Sequence, residues 1–100
     1  MNSEAIERIR EMESALDECT DAAAQLSSRL DRMDALRERM IALNRYYGSA
    51  EWYSDRESEL PGGLKAGVLS EDAVYDEISD MRELALRMLE LAADILKNRL

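Results

Sequence analysis

The chain has no histidine and no phenylalanine, and it carries one cysteine and one proline in 100 residues. Without an imidazole, the usual general base at neutral pH and a common metal ligand are missing. A lone cysteine, Cys19, excludes an intrachain disulfide, so a reducing cytoplasm is the expected location. No apolar run is long enough to span a bilayer. The opening "MNSEAIERIREM" sets acids where a signal peptide needs an apolar stretch. Bases are also scarce, at 13 against 22 acids, for a formal charge of −9. Nucleic-acid binding rests on neutralising phosphates, and anionic membranes attract bases, so neither partner is expected. No serine sits in a G-x-S-x-G elbow, and the four glycines form no phosphate-binding loop.

What remains is helix-forming. The chain is 46% hydrophobic and 35% charged, rich in Leu, Ala, Glu, Arg and Met. Its length suits a single domain, residues 1–100. Ser3 is placed to cap a first helix, with Glu4 and Glu7 in its first turn. A stripe then steps by three and four through Ile9, Met12, Leu16, Cys19, Ala23, Leu26, Leu30 and Met33. It continues through Leu36, Met40, Leu43 and Tyr47, but Leu30–Met33–Leu36 takes two steps of three, a stammer that overwinds the helix. Gly48 is the expected left-handed residue closing a helix over 3–47.

Ser49 can cap a short helix over about 50–59, ended by Pro61 and Gly62–Gly63. Ser70 can cap a third over about 71–98, with Leu69 and Val74 spaced for a hydrophobic staple. Its stripe runs Val74, Ile78, Met81, Ala85, Met88, Ala92 and Ile95, flanked by Leu84, Leu91, Leu89 and Leu96. The expected fold is all-α: a long antiparallel hairpin, with a short connecting helix, completed as a bundle by dimerisation. The third helix is the shorter and reaches back only to about residue 20. That leaves Ile6, Ile9, Met12 and Leu16 without a cover, with Cys19 at the edge. Large apolar patches are rare on monomers. A homodimer, or a pairing with another helical protein, is therefore expected through these residues. Glu7, Arg8 and Arg10 flank the seam and can set orientation while adding little affinity.

Four of the five aromatic residues, Tyr46, Tyr47, Trp52 and Tyr53, crowd the turn at Gly48. Rings fill the open end of a hairpin where Leu cannot reach, so a structural plug is the first reading and a small ligand pocket the second. Secreted helical hairpins use Trp-x-Gly at this place, but here Trp52 is followed by Tyr53 and Ser54.

The stretches "YYGSAEW", "LPGGLKAGVLSEDAVYD" and "RELALRMLELAADIL" resemble a family of small bacterial helical proteins known only as a domain of unknown function. The resemblance covers about residues 40–97, with a shorter segment between Trp52 and Leu60. It implies an intracellular helical protein and no particular activity.

One acidic constellation suggests an enzyme. Asp72, Asp76, Asp80 and Glu83 share a helical stripe, and Glu77 with Asp80 makes an E-x-x-D. All-helical nucleotide pyrophosphohydrolases hold Mg²⁺ with such pairs. Glu77, Asp80 and Glu83 are thus the metal ligands of an alternative reading, but no basic substrate cluster accompanies them. Acids in a helix's first turn are also simple stabilisers. The favoured reading is a non-catalytic interaction module with no cofactor.

Overall fold

The structure is a computed structural model that describes residues 2–98. It contains four α-helices: α1 Ser3–Ala35, α2 Arg37–Tyr46, α3 Ala50–Glu57 and α4 Glu71–Lys97, with a 3-10 turn at Gly67–Leu69 before α4. No strand occurs among the described residues. The fold is all-α, and the chain divides into two units, Met1–Glu38 and Arg39–Leu100.

In the first unit, α1 starts at Ser3, the expected first residue, but its cap lies one residue earlier than the sequence suggests. Asn2, not Ser3, is the cap; its Oδ1 accepts from the amides of Glu4 (3.0 Å) and Ala5 (3.3 Å). Either residue type can cap, but the extended backbone at Asn2 (ψ 109°) lets its side-chain Oδ1 reach those amides. The helix runs through Ser27–Ser28 and stops at Leu36, so the expected single helix over 3–47 is two helices. The break falls where the stripe takes its two steps of three. Leu36 rests at φ −91°, ψ −2°, and its amide donates to both Arg32 O (3.1 Å) and Met33 O (3.2 Å). Bonding to the carbonyl three residues back is the tightening that a stammer demands.

In the second unit, each element ends on a sequence-encoded device. Gly48 adopts φ +78°, which an L residue rarely does, and turns the chain out of α2. Ser49 Oγ accepts from the Trp52 amide at 3.2 Å, starting α3. That helix ends at Glu57, two residues before the end the sequence suggested, and is closed by Ser58, whose hydroxyl donates to Ser54 O at 2.9 Å. The serine back-bond and extended backbone end it before Pro61 is reached. Ser70 caps α4 by accepting from the Ala73 amide, and Asn98 ends it by donating to Asp94 O.

The buried core is small: only Trp52 and Val74 are buried among the described residues. Leu69 is half-buried and Val74 buried, at the two positions of a staple. On α4, Ile78 and Met81 are half-buried, and every described residue from Arg82 onward is exposed.

Candidate functional site

Two features stand out, and they differ in kind. The first is the aromatic turn. Trp52 sits at the third position of α3, where the Ser49 cap fixes its backbone. Its indole is 2% exposed, and Nε1 donates to Val68 O at 2.9 Å, so the one polar atom of the ring is satisfied in place. Tyr47 meets it edge to face, with centroids 5.2 Å apart, and Tyr53 does the same at 4.9 Å. The Arg56 guanidinium lies 4.8 Å from the indole centroid and bonds Glu71 Oε1 at 3.0 Å.

The hydroxyls complete the knot. Tyr47 Oη donates to Glu71 O at 2.8 Å, tying the end of α2 to the first residue of α4. Tyr46 Oη donates to Asp55 Oδ2 at 2.6 Å, across the Gly48 turn. That bond, with lesser contributions from desolvation and from the Asp55 and Glu51 charges, pushes the Tyr46 phenol from 10.0 up to about 12. Every ring's edge or hydroxyl is thus engaged by the protein itself, and Tyr53 turns an exposed face outward. The sequence placed the four rings together. It did not disclose Asp55, Arg56, Glu71 and the Val68 carbonyl as their partners. Arg56 carried a readable signal, since it stands four residues after Trp52 on one face of α3.

The second feature is the stripe of α1. Ile9, Met12 and Leu16 are 60%, 63% and 59% exposed, Ile6 is half-buried, and Cys19 is an exposed free thiol. From the sequence, the third helix is expected to cover the stripe beyond about residue 20, but the exposure continues past it. Leu26, Leu30 and Met33 are also open. A single helix has no second layer against which to bury a stripe, and α1 contains no buried residue. Among the described residues, its polar face is tied by exposed local pairs alone: Arg10 with Glu7 at 3.7 Å, Gln25 with Asp21 at 2.9 Å, and Arg37, just beyond its end, with Asp34.

The acidic stripe of α4 is spread along one helix. Asp72, Asp76, Glu77, Asp80 and Glu83 are all exposed. Among the described residues, no three His, Cys, Asp or Glu side chains are grouped to share a metal ion. One helix presents its carboxylates in a row, and closing a coordination sphere needs donors from a facing element. No described helix is long and apolar enough to cross a membrane.

No curated protein and no solved structure matches the chain. A family model does, over residues 9–91, which take in most of α1 as well as the aromatic turn and most of α4. The family's pattern thus reaches well into the N-terminal helix, beyond the stretch of about residues 40–97 that carries the resemblance in motifs. By that match the chain belongs to the family described as Domain of unknown function (DUF4298).

Proposed function

We propose that the protein is a non-catalytic interaction module of the cytoplasm that self-associates through α1. The observation that carries this reading is the open stripe of Ile9, Met12 and Leu16, each about three-fifths exposed on a helix with no buried residue. Each such side chain gains roughly 1.5–3 kcal/mol when fully buried, so an unpartnered α1 forfeits a large free energy. Local ties do not replace it. Exposed pairs at three- or four-residue spacing contribute only about 0.2–0.5 kcal/mol each. Ile6 and Cys19 border the same face and belong to the contact. The aromatic turn, with its rings engaged internally, serves in this reading as the closure of the second unit.

Light scattering coupled to size exclusion tests the proposal, with the reduced chain at high micromolar concentration. The expected mass is that of two chains, falling to one in the double variant Ile9→Asp with Leu16→Asp. A monomeric parent ends the proposal. A dimer that survives both substitutions moves the contact off this part of α1.

A further inference from the structure

We infer that α1 pairs with α1 of a second copy in parallel and in register, an arrangement carried by the charges beside the stripe. This inference rests on the self-association just proposed and adds its geometry. In heptad notation Ile9, Leu16, Ala23 and Leu30 occupy a positions, and Met12, Cys19, Leu26 and Met33 occupy d positions. The seam is therefore flanked by e residues (Ile6, Glu13, Thr20, Ser27, Asp34) and g residues (Arg8, Ala15, Ala22, Arg29, Leu36).

The charges among these flanking residues are sorted by side. Both charged e residues are acids, Glu13 and Asp34, and both charged g residues are bases, Arg8 and Arg29. In a parallel, in-register pair, a g residue lies beside the partner's e residue five positions further on, and such flanking charges set orientation. Arg8 then meets Glu13 of the second copy, and Arg29 meets Asp34. Two-fold symmetry repeats both contacts on the other edge of the seam. An antiparallel pair sets g edges against g edges and e edges against e edges, bringing base toward base and acid toward acid. Within the chain, among the described residues, Arg8, Glu13 and Arg29 make no ion pair, so three of the four are free for this use. Asp34 is held toward the end of the helix by Arg37.

Spin-label distances on the full chain test the orientation. In this register Arg8 alone of Glu7, Arg8 and Arg10 flanks the seam; Glu7 and Ser28 both fall at the outermost f position, where a label leaves the seam intact. In a Cys19→Ser background, Glu7→Cys and Ser28→Cys are labelled in turn. A parallel, in-register dimer gives nearly the same label separation at both sites, because every residue faces its own copy. An antiparallel dimer centred near residue 21 separates them by roughly 42 Å and 21 Å along the axis at 1.5 Å per residue. Arg8→Glu supplies a second readout. It places acid beside acid on both edges and raises the dimer dissociation constant about tenfold, and adding Glu13→Arg restores it. Equal separations with that rescue support the inference. A dimeric mass with unequal separations, or tighter pairing in Arg8→Glu, overturns the parallel geometry while leaving self-association standing. A monomer, or an assembly of more than two chains, overturns it at the level of the pairing itself.

Discussion

The aromatic turn and α1 both carry large apolar side chains and dispose of them in opposite ways: Trp52 is 2% exposed, whereas Ile9, Met12 and Leu16 are each about three-fifths exposed. Around Gly48, Trp52 finds Tyr47, Tyr53 and Arg56 within five residues of itself, and the chain beyond α3 returns to bring the Val68 carbonyl to its Nε1. Along α1, Ile9, Met12, Leu16, Leu26 and Leu30 lie on one continuous helix, and all are exposed. Apolar periodicity tells where a helix wants to be covered. Only a second element, from this chain or another, supplies the cover.

Four measurements sharpen or break this contrast. The largest effect is expected at Trp52. Trp52→Ala removes a buried indole together with its bond to Val68 O, at a cost of about 3–5 kcal/mol in urea unfolding followed by circular dichroism. A loss below about 1 kcal/mol means the knot is not the core of its unit. Leu26→Ala, on the open stripe, comes next and depends on concentration. Well below the dimer dissociation constant it changes thermal stability by less than about 0.5 kcal/mol; well above, it costs about 2–5 kcal/mol, as in a core. Equal effects at both concentrations contradict an intermolecular role for the stripe.

Gly48→Ala is smaller. No atom lies within 4 Å of the added methyl, so the cost is that of a left-handed alanine alone, about 1–2 kcal/mol in the same unfolding experiment. The smallest effect is at Tyr46. Its phenol is neutral when protonated, and folding raises its pKa from 10.0 to about 12 through the Asp55 bond. The folded state therefore favours the protonated form. The stability this contributes is fully present below pH 10 and is lost as the pH rises from about 10 to about 12. Spectrophotometric titration at the tyrosinate band should show one phenol ionising late, and Tyr46→Phe should remove that late step.

Much of the molecule was legible because local chemistry dictated it. Gly48, Ser49 and Ser70 act at the positions their residue types announce, since caps and left-handed turns involve atoms only two or three residues apart. The stammer at Met33–Leu36 was equally readable as a change of period. Its consequence, a break in the helix with a bifurcated Leu36 amide, depends on how the backbone relieves the overwinding, and periodicity alone does not decide that.

By itself, then, the sequence determined an all-α chain, the places where its helices start and stop to within a few residues except at the break beside Leu36, and the apolar stripe along α1. The capping and propensity terms behind these are local and act without knowledge of the rest of the chain. The tertiary structure decided which atoms satisfy the aromatic turn. Tyr46 with Asp55, Arg56 with Glu71, and Trp52 with Val68 O span 9, 15 and 16 residues, and only folding brings such pairs together. It also decided that α1 stays open from Ile9 to Met33, because burial belongs to a pair of surfaces and a helix carries only one of them.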